Sequence, residues 1–381
     1  MLLNITKRLL PLAACALVLV AASASGAQRP STVARYGVPN DFLGIVDTQT
    51  IAATPYWKAQ TLATQRRSGI ELQRQDFDWA QIEPRPGIFR FGPYDALMMA
   101  TARAGMHVLA ILDGPSPAYA ATRARPGEHL SGLTVYPPRS MSQFASFAAA
   151  VARRYGPGGS FWRSHPQLPA VPITSWEIWN EPNFDLYWGG HPSAASYASM
   201  LRAAVPAIHA VDPRAEIVTA GVANTEYGGI PGETYIEQLL AIRPRAPFDT
   251  LAVHAYAQSP AGVIDAVKQI RMILDIAGRS STPIWLTEFG WASGGPSSPF
   301  TVGSARQANY VFQTIMTLAR DAHALNVRGL VYYDWQDEPA YAGGGTNLWG
   351  FHTGLVDING IAKQALSKYY QAAGLLGALR H

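Results

Sequence analysis

Eight short runs of apolar residues recur along the chain, and each is followed by a longer stretch with apolar residues at helical spacing. Short apolar runs bounded by turn residues predict buried strands, and spacings of three and four residues predict helices. The predicted strands span residues 41–46, 69–74, 105–112, 171–179, 215–221, 248–256, 283–291 and 327–335. The predicted helices span residues 55–68, 93–103, 140–154, 193–211, 233–242, 261–277, 302–325 and 362–378.

Strands that alternate with helices on this scale are typical of a parallel sheet in an α/β protein. Eight such units favour a single closed (β/α)8 TIM barrel over residues 41–378. The alternative is an open doubly wound sheet, which usually carries a glycine-rich phosphate loop after its first strand. Here the first strand runs into Asp47-Thr48-Gln49-Thr50, which is not a loop of that kind.

Residues 1–27 have the composition of a signal peptide. Lys7 and Arg8 precede an apolar run over residues 9–20, and small residues follow it. The run is too short to cross a bilayer, and no polar face supports the alternative of an ordinary N-terminal helix. We therefore expect export to the medium, the periplasm or the cell surface, and no stable membrane insertion after cleavage. Residues 28–40 are predicted to be an irregular lead-in to the barrel.

Cys15 is the only cysteine and lies inside this apolar run. The local sequence Leu12-Ala13-Ala14-Cys15 matches a lipoprotein signal, but five more apolar residues follow, whereas a lipid-attached cysteine normally ends such a run. We therefore expect no lipid anchor. Cleavage beyond the run would leave no cysteine in the mature chain, which excludes disulfides and thiolate metal sites.

Composition and charge narrow the range of functions. With 48% apolar and 15% charged residues, the chain can build one large core. Its 30 basic and 26 acidic residues give a net charge of +4, and loss of Lys7 and Arg8 would leave +2. No basic stripe stands out, so nucleic-acid binding has no electrostatic support. The oligomeric state is left open.

The candidate chemistry lies at the predicted carboxyl ends of the strands, which converge on one mouth in a (β/α)8 barrel. Two carboxylates fall there, Glu181 after the fourth strand and Glu288 after the seventh. Because three βα units separate them, they are expected to face each other across the mouth. Opposed carboxylates that flank a cleft are the machinery of glycosidic bond cleavage. Five more residues are predicted to join them: Arg74, Asn180, His254, Tyr256 and Trp335.

Each of these residues also has a purely structural interpretation. Glu288 could be a strand-end carboxylate paired with Arg74, and His254 could be a hydrogen-bonded core histidine. Their coincidence at one predicted mouth favours the functional interpretation. Apolar neighbours such as Trp176 and Trp179 would raise the pKa of Glu181, as a general acid requires.

Two motifs carry a more specific resemblance. Trp176-Glu177-Ile178-Trp179-Asn180-Glu181-Pro182-Asn183 resembles the strand-four motif of the clan A glycoside hydrolases, and Thr287-Glu288-Phe289-Gly290 resembles their strand-seven motif. Within the clan, the chain looks most like glycoside hydrolase family 39, with family 5 next. The segments 154–157, 160–162 and 354–357 are also similar to bacterial family 39-like proteins, so that the resemblance spans residues 42–372.

This resemblance implies a retaining glycosidase that cleaves O-glycosidic bonds of a polysaccharide or oligosaccharide by double displacement. It assigns the acid/base role to Glu181 and the nucleophile role to Glu288. It also assigns substrate contacts to Arg74, Asn180, His254, Tyr256 and Trp335. The retaining geometry predicts carboxyl groups about 5–5.5 Å apart. Neither a metal nor another cofactor is expected.

Aromatic residues in the predicted mouth loops suit the flat apolar faces of sugars. Ten tryptophans and 17 tyrosines are present, and Trp188 and Trp291 are predicted as further substrate contacts. A transglycosylase would use the same catalytic residues and differ only in the acceptor that reaches the intermediate. A non-catalytic sugar-binding barrel would keep the rings but lose a carboxylate, and both carboxylates are present. The sugar, the linkage and endo or exo action are left open.

Family 39 xylosidases and iduronidases usually carry additional β-rich regions beside the barrel. This chain has little room for more than the barrel itself. The substrates of those enzymes are therefore not transferred, and a compact relative that acts on polysaccharides is favoured.

Overall fold

The computed structural model describes residues 37–123, 126, 128, 134–224, 228–339 and 347–377. The predicted signal peptide with Cys15, most of the predicted lead-in and residue 378 lie outside the described residues. Within the described part of the chain, no helix combines the length and the apolar character that a membrane span requires.

Eight parallel strands alternate with the helices of the described chain. The strands are β1 Leu43–Val46, β2 Leu72–Asp78, β3 His107–Asp113, β4 Ser175–Asn180, β5 Glu216–Ala223, β6 Leu251–His254, β7 Ile284–Phe289 and β8 Val327–Tyr332. The helices are α1 Pro55–Arg67, α2 Trp79–Ile82, α3 Gly92–Ala104, α4 Met141–Tyr155, α5 Ser160–Ser164, α6 Ala194–His209, α7 Gly232–Ala241, α8 Pro260–Ile276, α9 Ser304–Leu325 and α10 Gln364–Leu376.

The sheet closes on itself. Each strand pairs in parallel with the next one, and β8 pairs with β1 through Leu330 and Leu43. The predicted (β/α)8 TIM barrel is therefore confirmed, and the open doubly wound sheet is excluded. The short helices α2 and α5 are additions to the predicted set of helices.

The second strand differs most from its prediction. It extends to Asp78, whereas the sequence predicted a loop after Arg74. It pairs residue by residue with β3 from Leu72 and His107 to Asp78 and Asp113. The polar residues of this segment therefore belong to a strand, because backbone pairing with β3 continues through them. As a consequence, Asp76 and Asp78 lie at the carboxyl end of the barrel, where catalytic residues of this fold lie.

An apolar layer fills the interior of the barrel. It contains one residue from each of seven strands, namely Val46, Leu72, Leu109, Val218, Ala252, Trp285 and Val331. Side chains alternate between the two faces of a strand, so Arg74 shares the inward face of β2 with Leu72. Arg74 lies two residues closer to the carboxyl end of β2, and the charged site therefore lies directly above this apolar layer.

The helices shield the outer face of the sheet, which packs against them in a second, larger apolar cluster. Several begin with a residue that caps the free backbone N–H groups of the first turn. The side chains of Thr54, Ser193 and Ser259 accept hydrogen bonds from the first turns of α1, α6 and α8. These caps fix where each loop at the mouth ends.

Candidate active site

Arg74 is the centre of the site and is almost completely buried on β2. Its Nε and Nη2 donate to Oε2 and Oε1 of Glu177 at 2.8 and 2.9 Å. Its Nη1 donates to Oε1 of Glu288 at 2.7 Å, and its Nη2 also donates to Oδ1 of Asn180 at 2.8 Å. One guanidinium therefore orients three side chains from β4 and β7, because its planar donors have a fixed geometry.

Glu177 is a site residue to which the sequence analysis assigned no role. It is fully buried on β4, and its Oε1 also accepts a hydrogen bond from the backbone N–H of Gly221 at 2.9 Å. A buried carboxylate needs a partner charge, and the bidentate pair with Arg74 supplies it. The signal was present in the sequence, since a glutamate in the middle of an apolar strand requires a buried cation.

Glu288 lies at the end of β7 and accepts two strong hydrogen bonds. Arg74 donates to its Oε1, and the hydroxyl of Tyr256 donates to its Oε2 at 2.6 Å. The backbone N–H of Ala255 donates to the carbonyl of Glu288 at 3.0 Å, which ties the ends of β6 and β7 together. The structure thus brings Arg74, Tyr256 and Glu288 into direct contact.

The backbone around Glu181 turns sharply. Trp179 and Glu181 both have positive φ angles, 72° and 42°, which residues other than glycine rarely adopt. Asn183 holds this turn, because its side-chain amide donates to the carbonyls of Ala223 and Ile230 and accepts from the N–H of Ala223. The turn directs the Glu181 side chain to His254, where it lies almost completely buried.

His254 is fully buried at the end of β6 and lies between the two carboxylates. Its Nδ1 is 2.7 Å from Oε1 of Glu181 and 3.4 Å from Oε2 of Glu288. Its Nε2 has no hydrogen-bond partner among the described residues. A proton on Nε2 would therefore be unsatisfied, whereas one on Nδ1 donates to Glu181. Burial and the charge of Arg74 lower the pKa of His254 well below its ordinary value, so the ring is neutral.

Electrostatic interactions give the two opposed carboxyl groups different pKa values. Burial and the nearby charge of Glu288 raise the pKa of Glu181 well above its ordinary value. Burial also raises the pKa of Glu288, but the charge of Arg74 and the hydrogen bond from Tyr256 oppose that effect. Glu181 therefore holds its proton more tightly, and Glu288 ionises first. Such a difference between paired carboxyls defines an acid and a nucleophile.

A cavity of about 360 Å³, which we call the catalytic cavity, opens beside this network. Arg74, Asn180 and Glu288 line it. Three further carboxylates line the same cavity: Asp76, Asp78 and Asp113. Asp113 is buried, and its Oδ1 has no hydrogen-bond partner in the described chain. Burial and the nearby charge of Asp76 raise the pKa of Asp113 well above its ordinary value. The cavity is thus rich in carboxyl groups, a feature that was missed because the predicted second strand ended at Arg74.

The structure places Trp335 outside the catalytic cavity, so its predicted substrate contact stays a prediction. Trp335 lines a different cavity, and Tyr333 lies beside Glu288 in the lining of the catalytic cavity. Strand β8 ends at Tyr332, and the backbone N–H of Trp335 donates to the carbonyl of Val46 at the end of β1 at 2.9 Å. Tyr187, from the loop after β4, is a second ring in that lining.

Trp188 and Trp291 also lie outside the lining of the catalytic cavity, and their substrate contacts stay predictions. Trp188 packs edge to face against Trp179 and Tyr197, and only 3% of its surface is exposed. Trp291 is completely buried, and its Nε1 donates to the carbonyl of Ala257 at 2.7 Å. Neither ring lines the catalytic cavity, since both fill the space behind the strand ends.

A metal ion could find three ligand atoms in this site. One atom each from Glu181, His254 and Glu288 lie within 4.8 Å of one another. However, the Nδ1 of His254 is hydrogen-bonded to Glu181, and the guanidinium of Arg74 already supplies a positive charge at Glu288. These contacts favour direct acid–base chemistry at the two carboxyls, and the absence of a metal stays a prediction.

The sequence matches one family model, described as a glycosyl hydrolase catalytic core, over residues 173–339. This range runs from the strand that carries Glu181 to the segment that follows β8, and it includes Glu288 and His254. No curated protein matches the sequence.

Solved structures of family 39 enzymes share the fold. A family 39 glycoside hydrolase from Bacteroides cellulosilyticus has a TM-score of 0.64 at 20% identity, over 92% of this chain and 65% of that chain. A family 39 β-xylosidase from Caulobacter crescentus has a TM-score of 0.62 at 18% identity, over 90% of this chain and 72% of that chain. A family 39 enzyme from Xanthomonas axonopodis has a TM-score of 0.62 at 17% identity, over 90% and 67%.

The chain spans less than two thirds of the length of the Bacteroides enzyme. The likeness to these structures establishes the fold, and the family model adds the catalytic core. Together they confirm the predicted resemblance to the clan A glycoside hydrolases, most like family 39.

Proposed function

We propose that this protein is a retaining glycosidase that hydrolyses O-glycosidic bonds of a polysaccharide or oligosaccharide, with Glu288 as nucleophile and Glu181 as acid/base. The observation that carries the proposal is the short distance between the two carboxyls. One oxygen of Glu181 lies within 4.8 Å of one oxygen of Glu288. Inverting enzymes need carboxyls roughly 6.5–9.5 Å apart to admit water between them, and retaining enzymes about 5–5.5 Å. Oxygens of the two carboxyls within 4.8 Å of each other support the shorter spacing.

In the first step, ionised Glu288 attacks the anomeric carbon, and the bond to the leaving oxygen breaks. Glu181 gives its proton to that oxygen, so the leaving group departs as a neutral alcohol. The hydrogen bond from Nδ1–H of His254 occupies Oε1 of Glu181, which leaves the acidic proton on Oε2. Arg74 orients the amide of Asn180 through its oxygen, so that the NH2 group is available for the sugar 2-hydroxyl.

In the second step, water attacks the glycosyl ester of Glu288, and Glu181 takes the proton from that water. The charge of Glu288 is absent in the ester, and this charge raises the pKa of Glu181 in the free enzyme. The pKa of Glu181 therefore falls once the intermediate forms, which suits its change from acid to base. Water regenerates the carboxylate of Glu288, and the free sugar leaves with its anomeric configuration retained.

Labelling tests the nucleophile directly. We expect 2-deoxy-2-fluoro glycosides with a reactive leaving group to form a stable adduct, and mass spectrometry of peptides to place it on Glu288. The variant Glu288→Gln should remain unlabelled. An adduct on another residue would overturn the assignment. If no sugar of the panel labels the protein or is hydrolysed, the non-catalytic sugar-binding barrel replaces this proposal.

A second experiment tests Glu181. The variant Glu181→Gln should still react with a 2,4-dinitrophenyl glycoside, whose leaving group needs no proton, and then stall at the intermediate. Added azide needs no general base, so it should restore turnover and yield a glycosyl azide of retained configuration. An azide product of inverted configuration would contradict double displacement. The ratio of hydrolysis to transfer, measured for wild type with a sugar acceptor, separates the hydrolase from the transglycosylase.

We also propose that the protein is exported. The support is the sequence of residues 1–27 alone, with its basic start, apolar run and small residues. Fractionation of expressing cells and N-terminal sequencing of the exported protein test this. A cytoplasmic protein that retains residues 1–27 would contradict the proposal.

A further inference from the structure

A second cavity lies beside the catalytic one, between the loop after β1, helix α1 and the segments that follow β8. We call it the side groove. Its volume is about 920 Å³, compared with about 360 Å³ for the catalytic cavity. Thr48 lines both cavities, so the side groove and the catalytic cavity adjoin each other at this residue. A ligand chain that extends past Thr48 would reach both.

An exposed indole forms part of the side groove. Trp57 is 61% exposed, although it lies in the first turn of α1, which is anchored on both sides. Thr54 caps the N–H of Trp57, and Lys58 donates to the carbonyls of Thr50 and Ile51. The indole ring is therefore exposed to solvent at a rigid helix end. Tyr56 packs edge to face against Trp57 with ring centroids 5.2 Å apart and is 64% exposed. The two rings form a contiguous exposed aromatic patch, and such patches mark binding surfaces.

The polar lining of the side groove consists mainly of amides and hydroxyls. The side chains of Gln60, Thr61 and Asn359 line it and form no hydrogen bond within the described chain. Its two carboxylates already have partners. Asp47 accepts from the N–H of Thr50 and from Gln65, and Glu338 accepts from the hydroxyl of Thr48. Among the described residues of this lining, none carries a positive charge.

We propose that the side groove binds an uncharged stretch of the polysaccharide that is cleaved in the adjacent cavity. Free amides and hydroxyls match the hydroxyls of sugars, and an indole face matches the apolar face of a pyranose ring. A glycan rich in carboxylate or sulfate would find two carboxylates and no cation in the described lining. The inference rests on the proposed function and adds to it that the substrate is a long, neutral glycan.

Paired substrates test the side groove through activity. An aryl glycoside fits the catalytic cavity alone, whereas a neutral polysaccharide also reaches the side groove. We expect Trp57→Ala to lower kcat/KM on the polymer about tenfold, as the loss of one well-stacked ring would. Its kcat/KM on the aryl glycoside should be unchanged. Met272→Ala, which removes an exposed apolar side chain from α8 outside the groove, is the control and should match wild type on both substrates.

Binding without turnover separates this inference from the proposed function. Native gels that contain xylan, mixed-linkage β-glucan, galactomannan or polygalacturonate serve as probes. We expect at least one neutral polymer to retard wild type and Glu288→Gln, and Trp57→Ala to lose the retardation. If retardation depends on Trp57 but no substrate is hydrolysed, the groove stands and the proposed function fails. If Trp57→Ala equals wild type on the polymers, or only polygalacturonate retards the protein, the inference is overturned.

Discussion

Gly221 and His254 are in contact in a way that admits no side chain at position 221. A β carbon on Gly221 would stand 1.9 Å from Nε2 and 2.3 Å from Cδ2 of the imidazole. Both residues lie on strand ends, and the His254 ring is fully buried against Glu181. The glycine therefore sets the position of the imidazole, and through it the position of the acid/base carboxyl.

The variant Gly221→Ala should displace His254 and with it the acid/base carboxyl. A displacement of about 1 Å can lower kcat roughly 100-fold, because the reacting groups lose their alignment. We expect such a loss on substrates with poor leaving groups and a smaller loss on 2,4-dinitrophenyl glycosides, for which acid catalysis matters little. Overpacking should also lower the free energy of unfolding by about 1–3 kcal/mol.

Steady-state kinetics with both leaving groups, together with urea denaturation, measure these effects. The matched control is Gly92→Ala at the start of α3, where a β carbon would meet no atom within 4 Å. That variant should match wild type. Equal losses of Gly221→Ala on good and poor leaving groups would show that the strain acts elsewhere than on the acid/base carboxyl.

A second prediction concerns the buried pair of Arg74 and Glu177. The variant Glu177→Gln keeps the shape but leaves part of the Arg74 charge uncompensated, so the free energy of unfolding should fall by about 2–3 kcal/mol. Burial raises the pKa of Glu288, Arg74 lowers it, and the charge of Glu177 raises it. Removal of the Glu177 charge should therefore lower this pKa, and the acidic limb of the kcat/KM profile should move to lower pH.

Profiles of kcat/KM against pH for wild type and Glu177→Gln measure that shift. Glu216→Gln is the control, because Glu216 accepts hydrogen bonds from Ser175 and Thr250 at the opposite end of the strands. It should leave the acidic limb in place. A shift of the limb to higher pH in Glu177→Gln would contradict this charge effect and would indicate that Arg74 has lost its contact with Glu288.

The fold could be predicted from the sequence because eight apolar runs alternate with helical patterns, and only a closed barrel uses that number regularly. Residues that directly end a strand, such as Glu288 and His254, were placed together because strand ends converge. Trp335 was assigned to the last strand, because the run of apolar residues continues past the point where β8 ends. Strand boundaries depend on pairing with the neighbouring strand, and one sequence does not contain that pairing.

The acidic lining of the catalytic cavity was missed for the same reason. Asp76 and Asp78 read as loop residues, because polar side chains interrupt the apolar run of β2. They are strand residues that face the mouth, where polar side chains contact solvent or ligand. Glu177 was missed for another reason: its role depends on its distance from Arg74, 103 residues away in sequence.

A third prediction links Glu181 to the pH dependence of stability. Burial and the charge of Glu288 raise its pKa in the folded state above the ordinary value. The folded state thus binds the proton more tightly than the unfolded state, so stability falls as the pH rises through this interval. The variant Glu181→Gln cannot ionise. It should match wild type in Tm near pH 4 and exceed it near pH 8.

Scanning calorimetry at several pH values measures the difference in Tm. The exposed Glu237→Gln on α7 serves as the control, and its difference from wild type should not grow with pH. A Glu181→Gln variant that loses stability relative to wild type as the pH rises would reverse the sign of the argument. It would show that Glu181 is stabilised as a carboxylate, which is incompatible with its role as general acid.

The last prediction concerns the charge of the sugar that the catalytic cavity accepts. Asp76, Asp78 and Asp113 line it, and Arg74, the one cation in its described lining, is engaged by Glu177, Glu288 and Asn180. An anionic sugar would therefore be repelled. Wild type should prefer aryl glucosides or xylosides to aryl glucuronides.

Because burial and the charge of Asp76 raise the pKa of Asp113, this carboxyl is charged only once the pH exceeds that raised pKa. The variant Asp113→Asn removes the charge in that alkaline range. At alkaline pH we expect the ratio of kcat/KM for glucuronide over glucoside to rise about tenfold, since one charge at close range contributes on the order of 1–3 kcal/mol. The exposed Asp265→Asn on α8 should leave the ratio unchanged. If Asp113→Asn also leaves the ratio unchanged, the sugar does not approach β2 and β3, and the ring stacks instead on the side of Tyr187 and Tyr333.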